Sequence, residues 1–210
     1  FRKKDESMIS HKYCYWHFKN ALSKKFCDDI FTYCKDLKLN KGKVGKNKDM
    51  STKDLKKVRD SDVIFLNQMW IYREFQPFIQ RANKNAGWNF QWDFTEPIQF
   101  TEYKKDQSYG WHHDGWEEPY NDPKNLNMHG KIRKLSIIAM LSDPKDYKGG
   151  ELEFDLRNRT NGKPSLILCK EGYPKGSIII FPSFVWHRIK PVTAGVRNSL
   201  VGWNVGHPFK

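Results

Sequence analysis

Apolar positions recur at helical spacing along the first ninety residues and at strand spacing beyond Gly87. Between Ser23 and Leu39, Phe26, Ile30, Cys34 and Leu37 form one stripe, and Ser23 stands where an N-cap is wanted, so the pattern predicts a covering helix. A second helix is predicted from Gln68 to Asn85, with Ile71, Phe75, Phe78, Ile79 and Ala82 on one face. Pro77 should bend or split it, and Gly87 suits its end. A Lys- and Gly-rich stretch lies between the two and ends in Val63-Ile64-Phe65-Leu66, a short buried strand. After Gly87 the runs Pro97–Tyr103, Arg133–Leu141, Glu151–Leu156, Ser165–Cys169, Ser177–Phe181, Val185–Lys190 and Arg197–Val205 are punctuated by Gly, Pro and Asp. That spacing predicts a β-sandwich or jelly roll with helices packed outside it, a mainly β fold with flanking helices (α+β). Residues 1–90 read as helical support, 96–208 as the jelly-roll core, and 1–210 as one domain.

Composition narrows the class. Of 210 residues, 38% are hydrophobic and 15% aromatic, enough for a real core and too many for disorder. Lys plus Arg number 37 against 24 Asp plus Glu, a formal charge of +13, which favours acidic partners without choosing among them. The lysines crowd between Lys38 and Lys57, and the expectation there is a solvated basic loop rather than a nucleic-acid contact. Cys14, Cys27, Cys34 and Cys169 show no metal-finger spacing and suggest a reducing compartment. The N-terminal residues hold no apolar signal core and no run is long enough for a membrane helix, so the expected location is cytoplasmic, with no membrane partner. The Asn-, Pro- and Asp-rich stretch from Gly115 to Gly130 is a candidate lid or substrate loop.

The chemistry concentrates in two segments. Tyr109-Gly-Trp-His112-His113-Asp114 holds a His-x-Asp whose outer residues, in a strand, point to one side about 6–7 Å apart and reach one metal ion. Near the C-terminus, His187 on one strand is followed by a turn at Pro191–Gly195 and by Arg197 at the start of what reads as the neighbouring strand. Two histidines and one carboxylate on one face of iron leave the opposite face open for a bidentate oxo-acid and O2. No thiolate lies in these segments, which argues against structural zinc. Arg197, with the Ser199 hydroxyl two residues on, is suited to clamp a carboxylate in a partly buried setting.

With these residues in hand, the chain resembles the iron- and 2-oxoglutarate-dependent dioxygenases through His112-x-Asp114, His187 and Arg197-x-Ser199. Tyr103, Tyr109, Gly149-Gly150-Glu-Leu152 and Phe181-Pro-Ser-x-x-x-His187 are similar to the prolyl 4-hydroxylase branch, and the likeness covers about Ile98 to Gly206. The resemblance implies a double-stranded β-helix with Fe(2+) at its mouth, held by His112, Asp114 and His187. It implies that Arg197 pairs the distal carboxylate of 2-oxoglutarate, helped by Tyr103 and Ser199, and that Ile138, Leu152, Ile189 and Trp203 wall the pocket, with Tyr109 at the entry. Met140 stands where some members carry a second Tyr, so fewer hydroxyls would hold the oxo-acid. The implied activity is O2-dependent hydroxylation of a peptidyl proline with release of succinate and CO2, with ascorbate as a possible accessory. Trp111, Trp116 and Tyr120 would stack on the proline as exposed mouth residues. His113 faces away from the ligand pair and is expected at the surface or behind it.

Two other readings stand beside this one. Oxidative demethylation of nucleic-acid bases rests on the charge alone, and relatives of that type carry an Arg six residues after the anion-binding one, where this chain has Trp203. A non-catalytic jelly-roll binding module would keep the fold without the reaction. Chelation of iron by the oxo-acid separates the module from the enzyme.

Overall fold

The structure, a computed structural model, describes residues 13–43, 58–115, 118–160, 163–172 and 174–209. The N-terminal elements are β1 (Trp16–Phe18), α1 (Lys24–Cys34), β2 (Asn40–Lys41), β3 (Arg59–Asp60), β4 (Asp62–Leu66) and α2 (Met69–Asn85). β5 (Phe94–Thr95), β6 (Ile98–Tyr103), β7 (Ser108–His112), β8 (Ile132–Met140) and β9 (Tyr147–Gly149) follow. The chain continues through β10 (Leu152–Thr160), β11 (Lys163–Leu168), β12 (Ile178–Pro182), β13 (Trp186–Ile189), β14 (Val192–Gly195) and β15 (Arg197–Gly206).

A major sheet runs in the order β1-β12-β8-β15-β6-β4-β2, with β5 beside β15, and a minor sheet runs β11-β10-β13-β7-β3. Period-two alternation gives the central strands of the major sheet two different faces. Leu135, Ile137, Ala139, Ile178, Ile180 and Leu200 pack under the helices with Ile30, Ile71, Phe75 and Ile79. Their neighbours Ile138, Met140, Ile179 and Phe181 turn to the other side and meet Leu152, Phe154 and Ile189 of the minor sheet. Two facing antiparallel sheets with helices on one outer face are the expected jelly roll.

Several expectations need correcting. The N-terminal third is not purely helical support: β1 pairs β12, β2 and β4 extend the major sheet, and β3 pairs β7 at the edge of the minor one. Helix α1 does begin at Ser23, whose Oγ accepts from Phe26 N at 3.0 Å, but it ends at Cys34, and Leu37 lies outside it, 40% exposed. Helix α2 is continuous through Pro77. The carbonyl that loses its partner there belongs to Arg73, which like Pro77 lies on the exposed side of the helix. Most of the Lys38–Lys57 segment lies outside the described residues. The Gly115–Gly130 stretch is tied at its base, where Tyr120 N donates to Lys131 O and Gly130 N to Tyr120 O. The four cysteines are free, and no described helix is long and apolar enough to cross a membrane.

The core assignment predicts a contrast. Phe75→Ala, at a 2% exposed position beneath the major sheet, should lower unfolding free energy by about 3–5 kcal/mol, whereas Leu37→Ala should change it by less than about 0.5 kcal/mol. Urea denaturation of the two variants measures both.

Candidate metal and oxo-acid site

The site lies at the seam between the sheets. His187 on β13 is paired in register with His112, the last residue of β7, so two imidazoles sit side by side with ring centroids 4.1 Å apart. Asp114 is not in a strand. Its N–H and that of Gly115 both donate to the Ser183 carbonyl, at 2.9 and 2.7 Å, and this bend rather than strand alternation swings the carboxylate back over the histidines. Asp114 Oδ1 is 3.7 Å from His112 Nε2, and Oδ2 is 3.7 Å from His187 Nε2. One ligand atom from each of the three residues lies within 4.8 Å of the others.

The donor set fits a divalent metal ion. His112 Nδ1 lies 2.8 Å from the Gly110 carbonyl and His187 Nδ1 3.0 Å from that of Val185. A carbonyl only accepts, so Nδ1 carries the proton in each ring and Nε2 presents its lone pair inward. Burial, then the neighbouring His187, pushes the His112 pKa down to about 3, leaving the neutral, ligating form. Burial alone would raise the Asp114 carboxyl, but His187, His112 and Arg133 outweigh it and hold the group well below the usual carboxylate range. Tyr109 stacks on the His112 ring at 3.5 Å between centroids and lines the cavity, and burial raises its phenol to about 12.

Across the cavity stands Arg197, on the facing sheet and not on a strand adjacent to His187: β15 pairs β6 and β8, whereas β13 pairs β10 and β7. This corrects the hairpin expectation, and it places cation and metal ligands on opposite walls. Arg197 is 2% exposed, donates to Ser199 Oγ and to Met140 Sδ at 3.3 Å each, and leaves Nε without a partner. A buried guanidinium with no carboxylate partner among the described residues is a site built for a carboxylate. Gly150 has φ +66°, and a Cβ there would meet Arg197 Cδ at 2.7 Å, so Gly150 makes room for the arginine stem, while a Cβ at Gly149 (φ +75°) would run into the Pro191 carbonyl.

The cavity between these walls, about 320 Å³, is lined by Tyr103, Tyr109, Ile138, Ile189, Arg197, Ser199 and Trp203 together with His112, Asp114 and His187. Two expected wall residues lie elsewhere. Leu152 is buried in the core opposite Ile189 in the ladder, and Met140 sits behind Arg197. Trp111 is half-buried with the Arg188 guanidinium 4.6 Å from its ring and does not line the cavity. Tyr120 is half-buried with its hydroxyl donating to Glu96, and Trp116 lies outside the described residues. His113 reaches the cavity edge and packs edge-on against Trp186.

Several participants emerge only from the three-dimensional arrangement. Arg133 lines the cavity, 3.9 Å over the Trp203 ring, and is held by Glu96 through bonds of 2.7 and 2.8 Å, which outweigh desolvation and keep it firmly charged. Tyr147 is buried with its hydroxyl close enough to Arg197 to feel its charge, so a second tyrosine approaches the cation from β9 instead of from position 140. Ser136 donates to Asp114 Oδ2 at 2.7 Å. Charged or hydroxylic residues within otherwise apolar strands, as in Arg133-Lys-Leu-Ser136, are the signal that flags such groups.

A facing-sheet jelly roll with a His, Asp, His cluster opposite an arginine that has no carboxylate partner among the described residues defines a non-haem, oxo-acid-binding class of protein. The chain matches the family model described as the 2OG-Fe(II) oxygenase superfamily over residues 98–205 and belongs to that superfamily. A PKHD-type hydroxylase of Synechococcus sp. (strain CC9902) is 40% identical over 95 residues, which are 45% of this chain and 35% of that relative. The chain thus spans about a third of the curated relative's length. A Pseudomonas putida prolyl-4-hydroxylase structure shares the fold with TM-score 0.64, 17% identity, and coverage of 92% of this chain and 93% of its own. A Trichoplax adhaerens prolyl hydroxylase, solved with a hypoxia inducible factor peptide fragment, gives TM-score 0.66, 16% identity, and coverage of 92% and 84%.

Glu96 pairs the buried Arg133 guanidinium at 2.7 Å, so Glu96→Gln should destabilise the fold by about 3 kcal/mol, read from denaturant midpoints, because it removes the charge nearest a buried cation.

Proposed function

We propose that this chain is an Fe(II)- and 2-oxoglutarate-dependent dioxygenase that hydroxylates a C–H bond of a prolyl residue in a peptide or protein. The observation that carries the reading is the placement, on opposite walls of one cavity, of three metal donors and a buried arginine with no carboxylate partner among the described residues. Residues 1–210 are taken as a single catalytic domain, and the free cysteines accord with a cytoplasmic location.

In this reading His112, Asp114 and His187 hold iron through Nε2, a carboxylate oxygen and Nε2. Bound ferrous iron with 2-oxoglutarate supplies O2 activation, oxidative decarboxylation to succinate and CO2, and transfer of one oxygen atom to the substrate. The chain's own residues do the positioning. Arg197 and Ser199 take the far carboxylate of the oxo-acid, with the Tyr103 hydroxyl in the same cavity, and burial keeps that phenol protonated as a donor. Ile138, Ile189 and Trp203 exclude water between the anchor and the metal ligands. The backbone bonds at both Nδ1 atoms stop the imidazoles from turning away. Ascorbate would serve only as an accessory reductant of the iron.

A peptide target is supported by the fold shared with prolyl hydroxylases, one of them solved with a peptide, and by a basic surface suited to guiding an acidic or flexible chain. Incubation with proline-containing peptide libraries should give a product heavier by one oxygen and an equal amount of succinate. Arg197→Met should raise the 2-oxoglutarate concentration for half-maximal rate roughly 50-fold, the loss expected for a charge-assisted bidentate pair. An Asp114→Ala protein that still formed succinate at the unsubstituted rate would defeat the assignment.

A further inference from the structure

We propose that Ser136 is a positioning residue for Asp114, and that its hydrogen bond commits Oδ2 and leaves Oδ1 as the atom that coordinates metal. The inference rests on the reading of this cluster as a metal centre. Ser136, on the inner face of β8, donates to Asp114 Oδ2 at 2.7 Å, and its Oγ lies 2.9 Å from Ser183 Oγ. Both serines are fully buried. An ionised carboxylate has no proton to give, so the bond to Oδ2 uses the single proton of Ser136. The second contact must then run from the Ser183 hydroxyl into the Ser136 oxygen. The order Ser183 to Ser136 to Asp114 is therefore fixed by valence, and each bond polarises the next.

Ser183 acts at both ends of the aspartate. Its carbonyl takes the N–H groups of Asp114 and Gly115, while its hydroxyl backs the serine that grips the carboxylate. The histidines do not choose between the two oxygens, since each oxygen stands 3.7 Å from one Nε2. Ser136 breaks that symmetry. A carboxylate that gives both oxygens to a metal fills two positions, and one that gives a single oxygen leaves room for a bidentate oxo-acid and a further ligand. The serine pair thus keeps the open face of the site open.

Co(II), added without oxygen or 2-oxoglutarate, is the probe. Ser136→Ala should weaken Co(II) binding by about 10–100-fold in calorimetry and change the intensity of the visible Co(II) absorption, as a freed carboxylate alters the coordination number. Ser136→Thr keeps the hydroxyl and should bind within about threefold of the unsubstituted protein with its spectrum, which a mere packing role would not produce. Near-ultraviolet circular dichroism checks that each variant is folded. Unchanged affinity and spectrum in folded Ser136→Ala overturn the inference while leaving the oxygenase reading intact, as does equal weakening in Ala and Thr variants. Should Ser136→Ala fail to fold, the Ser183→Ala variant carries the test, with a smaller loss of affinity expected and no change contradicting the relay. Absence of Co(II) binding by the unsubstituted protein overturns both readings.

Discussion

A carboxylate sealed between two imidazoles at the seam of two sheets is the constraint on which the rest of the molecule turns. Burying an anion costs several kcal/mol unless its lone pairs and charge are matched. Asp114 is matched on one side by the Ser136 hydroxyl on β8 and by the Arg133 charge, and its backbone is tied to the Ser183 carbonyl after β12. The inward lone pairs of His112 on β7 and His187 on β13 leave the remaining compensation to a cation. A shift of β8, or of the segment after β12, would break a hydrogen bond to Asp114. The precision of the site and the stability of the fold therefore rest on the same contacts.

The two faces of the major sheet divide the labour. One face takes the helices and supplies apolar area without polar obligations, through Ile137, Ala139, Ile178, Ile180 and Leu200. The other carries Ser136, Ile138, Arg197, Ser199 and Trp203, alternate residues of the same strands, toward the cavity. Arg197 is left incomplete in this arrangement. No carboxylate among the described residues balances its buried charge, so a bound oxo-acid would repair a cost already built into the fold, and occupancy would stabilise the protein by mass action.

Much of this was legible in the sequence because it is local. Alternation between residues 97 and 205 gave the strands of the jelly roll, and three-and-four spacing gave the faces of α1 and α2. His112, Asp114, His187 and Arg197 stood out because metal and carboxylate chemistry demands those side chains in short recognisable groups. What stayed hidden is non-local. The turn at Pro191–Gly195 looks like a hairpin, but β14 pairs β9 and passes the chain to the opposite sheet, a fact of pairing that no single segment encodes. Leu37 continues the stripe of α1 numerically, yet the helix stops at Cys34, and Pro77 looks disruptive although it falls on the exposed side of α2, which runs through it. Glu96 and Tyr147 have ordinary sequence surroundings, and Arg133 and Ser136 are flagged only as polar residues in an apolar strand; all four acquire their roles from partners tens of residues away.

The most direct test of the central claim, that one cavity holds iron on one wall and the tail of an oxo-acid on the other, is an anaerobic visible-absorption titration. Fe(II) is added first and 2-oxoglutarate second. The account predicts a metal-to-ligand charge-transfer band that saturates with one equivalent of each and is absent with succinate in place of the oxo-acid. A protein that binds both components without developing the band would contradict it.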